Sequence, residues 1–383
     1  MPNWGPLAER YNVNRQRKIL ALDGGGIRGV LTLEILLEME TQLKAALKKD
    51  DDFRLSDFFD YIGGTSTGAI IAAGLSIGLS VNQLIDFYEQ KGEAMFDKAF
   101  LLKRVKYFYN DGPLLQELKN TFGTGNIDLN AGNFKSLLLV VTMNRSTDSP
   151  WPISNNPNAK YNNPDRLDCN LRIPLYQLVR ASTAAPAYFR PETLQWDPQD
   201  PEKTFVFVDG GVTPYNNPAF LLYRMATQPA YGLNWKKGEK DLMIVSVGTG
   251  SAQSPGTYDN LLSTLKELPT NLMYAMQVDQ DINCRTVGRC KFGAPIDQEL
   301  GDMIPLDNDG NMQNVESAVP PHFSYVRYNA DLSDKGLKDL GLDYINSHDV
   351  RQMDSVEFMP QLREVGKASG KQQVKMDHFV SFI

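Results

Sequence analysis

A chain of 383 residues, 42% hydrophobic and 22% charged, has a globular composition and the length for one large α/β domain or two average ones. Its 39 basic and 46 acidic side chains give a formal charge of −7, with no nucleic-acid footprint, and no stretch reaches the ~18 uncharged apolar residues of a membrane span. Three cysteines without a CxxC pair exclude a disulfide framework and a zinc site and read as ordinary thiols of a reducing, cytoplasmic compartment.

Residues 1–16 read as a polar N-terminal segment without the apolar core of a signal peptide. Lys18–Asp23 (KILALD) predicts a buried strand and Gly24–Gly29 a glycine-rich turn. From Val30 to Lys49, Val30, Leu33, Leu43 and Leu47 recur at helical spacings between Glu34, Glu38, Lys44 and Lys48. The unit repeats, with Phe58–Ile62 as strand, Gly63–Gly68 as tight turn and Ala69–Leu79 as buried helix. Further strands are predicted at Ser136–Thr142, Thr204–Val208 and Asp241–Val247, apolar runs of the kind covered on both faces of a parallel sheet.

Asn144–Arg166, Gln195–Lys203 and Gly248–Gly256 read as loops. After Pro320 the strand signal fades, and Asp331–Ile383 reads as short helices at the domain edge, with Gly366–Lys375 loosely ordered. The expectation is a three-layer α/β/α fold with a doubly wound, mostly parallel sheet. Residues 1–16 precede a catalytic domain at 17–320, and 321–383 form a small helical C-terminal extension packed on it.

Asp23-Gly-Gly-Gly-Ile-Arg-Gly29 stands between a strand and a helix. Consecutive glycines there leave the amides of Gly24, Gly25 and Gly26 uncovered beside the positive end of a helix, a pocket for negative charge. In acyl transfer that charge is the tetrahedral oxyanion, and Arg28 adds a positive charge beside it. The same residues, Gly24–Gly29, match GxGxxG, so a nucleotide-binding module stays open. Its usual ribose-binding acid would fall on Asp50, Asp51 or Asp52, which form a polar loop rather than a strand end.

Gly64-Thr-Ser-Thr-Gly68 has the GxSxG spacing of a nucleophile elbow, with the strand before it and helix after it that the mechanism needs. Gly64 and Gly68 permit the strained turn, Ser66 is the nucleophile, and the Thr67 amide points toward the anion pocket. The plainer reading makes Ser66 a cap of the following helix. A serine hydroxyl needs a base. The three histidines, His322, His348 and His378, all lie late in the chain, and a Ser–His–Asp esterase using one of them is an alternative.

Asp209-Gly210-Gly211 closes the run TFVFV, placing a carboxylate at a strand end where α/β sites form. Partial burial would raise such a carboxyl toward the pKa of a useful base, while a turn aspartate that caps its own loop is the bland alternative.

In this order the three motifs resemble the patatin-like phospholipases, whose pattern is DGGGxRG, GxSxG and a later DGG or DGA. Ala181–Phe189 (ASTAAPAYF), Asn216-Asn217-Pro218 and Ser246–Gly250 (SVGTG) are softer matches, and the resemblance runs from about Lys18 to Gly250. It implies hydrolysis of fatty-acyl esters in phospholipids or lysophospholipids by a Ser66–Asp209 dyad, without histidine, metal or other cofactor. Gly25 and Gly26 carry over as oxyanion donors and Arg28 as electrostatic support. Gly29, Gly64, Gly68, Gly210 and Gly211 are the motif glycines. Phe96–Tyr109 (FDKAFLLKRVKYFY), basic and aromatic, reads as a helix half in the core or as a peripheral contact with an anionic membrane.

Overall fold

Four almost wholly buried strands, β1 (Arg17–Leu22), β2 (Tyr61–Thr65), β7 (Leu242–Val247) and β9 (Ser324–Tyr328), form the centre of one mixed sheet in the computed structural model. The structure describes residues 4–96, 112–186, 189–197, 199–251, 261–296, 319–354 and 356–383. The remaining strands are β3 (Leu137–Asn144), β4 (Ser149–Ser154), β5 (Glu192–Asp197), β6 (Asp200–Asp209) and β8 (Arg289–Phe292). Their order is β5-β6-β3-β2-β1-β7-β9-β8, with β4 on the other edge of β3. The run from β3 through β8 is parallel; β4, β5 and β6 pair antiparallel.

Two neighbouring glycines of β2 reveal the layers. A side chain at Gly63 would strike Leu222 of the helix Ala219–Thr227, and one at Gly64 would strike the backbone of Gly68 in the helix Thr67–Ser76. Consecutive strand residues point to opposite faces, so these helices cover opposite sides of the sheet. The helix Gly29–Ala46 packs beside Thr67–Ser76, and Leu261–Val287 packs over Ala219–Thr227. The three-layer, mostly parallel α/β/α expectation therefore holds. Among the described residues no helix is long and apolar enough to cross a membrane.

Several local expectations are corrected. Residues 55–58 are helical, because the Arg54 N–H donates to Asp57 Oδ2 at 2.8 Å and starts a turn, so the strand begins at Tyr61. The segment 144–166 contains β4, a hairpin partner of β3, and 195–203 holds the end of β5 and the start of β6, which pair antiparallel. The Thr204–Val208 run belongs to a strand antiparallel to β3, not to the parallel set. Beyond Pro320 the strand signal does not end: β9 lies between β7 and β8, wholly buried.

The C-terminal residues expected to be loose form the helix Met359–Gln373. Gly366 and Gly370, one turn apart, press against Leu31, Glu34, Ile35 and Glu38 of the helix Gly29–Ala46. Arg363 fixes the contact by bridging Glu34 and Glu89. The N-terminal segment is not merely polar. Trp4 stacks on Tyr11 with centroids 4.8 Å apart, and the Tyr11 hydroxyl donates to the Asp60 carbonyl at 2.6 Å and accepts from Leu137 N–H at 2.9 Å. The stretch Phe96–Tyr109 lies outside the described residues from 97 onward.

Candidate active site

The strands of the sheet bring two motifs together at one point. β2 pairs with β3 up to Thr65 opposite Val141, and β6 pairs with β3 from Phe207 to Asp209, opposite Thr142. β4 occupies the other edge of β3 along Leu139–Asn144, so β2 and β6 share one edge. Because β2 runs parallel to β3 and β6 antiparallel, their C-terminal ends meet head to head. Ser66 follows Thr65 directly, and its Oγ donates to Asp209 Oδ2 at 2.7 Å.

Ser66 has φ 55° and ψ −122°, backbone values that a non-glycine residue rarely adopts and that cost ~1–3 kcal/mol. Its surroundings hold it there. The Ser66 N–H donates to Ser182 Oγ at 3.0 Å, and the Ser182 hydroxyl donates to the Val141 carbonyl at 2.7 Å. The turn closes only without side chains at Gly64 and Gly68: added Cβ atoms would lie 2.0 Å from the Gly68 oxygen and 2.3 Å from the Leu22 oxygen. Ser66 makes no side-chain cap on its helix, so the capping reading does not apply.

Asp209 is 5% exposed, and burial pushes its carboxyl up to about 6. The Ser66 hydroxyl, the Gly211 N–H (to Oδ1 at 2.6 Å) and the charge of Arg180 act against burial. One oxygen thus faces the serine while the other accepts from the Gly211 N–H and caps its own turn, as the plainer reading of this aspartate expected. An aspartate at about 6 is largely ionised near neutral pH yet basic enough to accept a proton.

The glycine loop is walled in from several elements. The Gly24 N–H donates to the Asn216 carbonyl at 3.1 Å, and Thr249 Oγ1 donates to the Gly24 carbonyl at 3.1 Å. The Ile27 N–H donates to the Met353 carbonyl at 2.9 Å. Gly26, at φ +62°, leaves room for that carbonyl, which a Cβ would meet at 2.2 Å. Beneath the loop, Asp23 is fully buried and accepts from Arg327 Nη1 at 2.8 Å and Nη2 at 2.5 Å, and Arg327 also reaches Ser246 Oγ at 2.6 Å. Arg28 is 7% exposed, and burial together with Arg351 lowers it to about 10.

Ser66, Thr67, Asp209 and the loop Gly24–Gly29 therefore gather at the same end of the sheet. Gly29 packs on Thr67 Oγ1, and Gly210 on the Val141 carbonyl. The histidines are elsewhere engaged. His322 Nδ1 meets the Tyr223 hydroxyl at 2.6 Å; His378 Nδ1 meets the Tyr328 hydroxyl at 2.8 Å, and burial lowers it to about 4; His348 is exposed beside Asp349. No described contact joins any of them to Ser66 or Asp209. Asp50, Asp51 and Asp52 form an exposed turn away from any strand end.

Sequence reasoning assigned no role to Ser182, Asn216, Thr249 or Arg327. Ser182 and Asn216 stand in blocks whose resemblance was visible, ASTAAP and NNP, without a stated chemistry. Arg327 carried no signal, since its strand was not foreseen.

The family model for patatin-like phospholipase matches residues 20–223. The chain is 31% identical to patatin-17 of Solanum cardiophyllum over 251 residues, 61% of this chain and 60% of that protein. It is 30% identical to a cGAMP-activated phospholipase of Vibrio cholerae, over 65% of this chain and 68% of that one. The chain thus spans about 60% of the length of the first of these relatives. Among solved structures it is similar to human GIVD cytosolic phospholipase A2, with 11% identity and a TM-score of 0.47, over 98% of this chain and 62% of that one.

Proposed function

Because the chain belongs to the patatin-like phospholipase family, we propose that it is a lipid acyl hydrolase that cleaves fatty-acyl esters of phospholipids or lysophospholipids through Ser66 and Asp209. The observation that carries the reading is the 2.7 Å hydrogen bond from Ser66 Oγ to a buried carboxylate raised to about 6.

Asp209 Oδ2 takes the hydroxyl proton as Ser66 Oγ bonds to the acyl carbon. The carbonyl oxygen becomes an anion, held by the N–H groups of Gly25, Gly26 and Thr67 with Arg28 nearby. Gly24 drops out of this set of donors, because its N–H is engaged by Asn216. Collapse breaks the bond to the alcohol, which leaves with the proton from Asp209. Water then gives a proton to Asp209 and attacks the acyl-serine, and the fatty acid departs as Ser66 recovers its proton. No histidine, metal or other cofactor enters these steps.

Peripheral contact with a membrane through Phe96–Tyr109 and a cytoplasmic location belong to the same reading. The location is supported by Cys169, Cys284 and Cys290, none of which forms a disulfide. The test is hydrolysis of a phospholipid panel by wild type and Ser66→Ala, where equal turnover by the two would overturn the proposal.

A further inference from the structure

A cavity of about 410 Å³ lies at the opposite end of the sheet from Ser66. Arg17, the first residue of β1, lines it, whereas the glycine loop follows the last. The six residues of that strand put ~20 Å between the two places. The volume is within the ~300–1,000 Å³ of small-molecule pockets. One wall is a rigid aromatic stack. Trp4 lies on Tyr11, and Tyr11 is 6.5 Å from Trp235 with the rings 4° from parallel. The Arg17 guanidinium sits 5.2 Å from the centre of the Trp235 ring.

The charge beside this wall is unbalanced. Asp60 is fully buried and is bridged by Arg10, Arg15 and Arg17, so three guanidiniums share one carboxylate. Burial and the neighbouring arginines hold Arg17 below the ordinary guanidinium range, against the pull of Asp60. Two of the three are also engaged by the backbone. Arg10 donates to the carbonyls of Lys135 and Phe59, each at 2.8 Å, and Arg17 to those of Arg10 at 2.9 Å and Val13 at 2.7 Å. Arg15 is different. Among the described residues its guanidinium bonds through Nη2 to Asp60 alone, and its side chain is 40% exposed at the cavity. Its Nε and Nη1 donors face another acceptor, and a planar guanidinium edge matches the paired oxygens of a phosphate.

Four carboxamides line the same space, those of Asn12, Asn14, Asn158 and Asn234. Among the described residues only Asn158 spends its amide on the protein, donating to the Gly232 carbonyl at 2.9 Å. Each free carboxamide offers two N–H donors and an acceptor oxygen, the complement of a hydroxyl group. We propose that this cleft binds a sugar or polyol phosphate, with the phosphate on Arg15 and the hydroxyls on the carboxamides. Of the residues named for it, Arg15, Asn12, Asn14 and Asn234 lie outside the family-matched span 20–223.

The test is calorimetric titration of the full chain with glucose 6-phosphate, myo-inositol 1-phosphate and inorganic phosphate. Alongside it, the Ser66→Ala protein, which should spare the lipid, is sedimented with phosphatidylinositol or phosphatidylcholine vesicles. A sugar or inositol phosphate is expected to bind with Kd below about 1 mM and more tightly than inorganic phosphate. Arg15→Gln and Asn234→Gly should each weaken it about tenfold or more. Asn234 has φ 52°, so glycine keeps the backbone and removes only the carboxamide. Unchanged circular dichroism shows that both variants are folded. Binding of the soluble esters places the ligand in solution; Arg15-dependent sedimentation with phosphatidylinositol alone places the same chemistry on a lipid headgroup. No binding of any probe overturns the proposal, and so does binding that both variants leave unchanged.

Discussion

Thr65 of β2 and Asp209 of β6 stand opposite Val141 and Thr142, consecutive residues on the same edge of β3. One strand arrives parallel and the other antiparallel, so Ser66 and Asp209, 143 positions apart in sequence, meet where the two strands end. The hydrogen bond between them is built into the sheet register. Loop geometry only refines it.

The pH dependence of kcat/KM follows from the buried base. In the proposed mechanism Asp209 works when ionised, and burial raises its carboxyl from 3.8 to about 6, so activity should rise with pH through an apparent pKa near 6. A pH–rate profile with p-nitrophenyl butyrate checks this. A limb near 4 would mean that the base is not held in its buried setting.

The same burial costs stability. The native state holds the Asp209 proton more tightly than the unfolded chain, whose carboxyl titrates near 3.8. Its stabilising contribution is therefore present below pH 4 and lost as pH rises through about 6. Asp209→Asn should unfold with ~1–3 kcal/mol more free energy than wild type at pH 8, and with no gain at pH 4. Urea titrations at the two pH values test the sign.

Arg327 should matter to the fold more than its distance from the chemistry suggests. Removing one partner of the buried Asp23–Arg327 pair leaves an uncompensated charge under the glycine loop. Arg327→Met is expected to cost ~3–5 kcal/mol. In the double variant Asp23→Leu, Arg327→Met most of that loss should be recovered, and denaturation of the four proteins of the cycle measures the coupling.

Ser182 holds the nucleophile's backbone, since its hydroxyl accepts the Ser66 N–H. Ser182→Ala strands that donor and relaxes the strained turn, which should lower kcat by about 10–100-fold. KM should move little, and steady-state kinetics on one substrate separate the two constants.

Much of this site was legible in the sequence because its parts are local. A glycine triplet, a GxSxG turn and an Asp-Gly-Gly turn each dictate their own backbone, and the apolar runs before them fix three strand ends. What brings them together was not local. Thr204–Val208 is apolar enough for a parallel strand, and only its hairpin with Glu192–Asp197 and its pairing on β3 turn it antiparallel. β9 was missed because Ser324–Tyr328 (SYVRY) carries Ser324 and Arg327, polar residues buried by partners far away in sequence: Ser324 Oγ on the Glu239 carbonyl, Arg327 on Asp23. Gly366–Lys375 looked loose since it is polar, yet it lies mostly in the helix Met359–Gln373, where Gly366 and Gly370 serve as contact points.

The central claim is that Ser66, activated by Asp209, attacks an acyl ester. Its most direct measurement is labelling with a fluorophosphonate followed by peptide mapping, alongside lipid hydrolysis by the same preparations. The account predicts modification at Ser66 in wild type, none in Ser66→Ala, and kcat lowered by about 10⁴-fold or more in Asp209→Asn. Label on another residue, or an Asp209→Asn enzyme near wild-type rate, would contradict it.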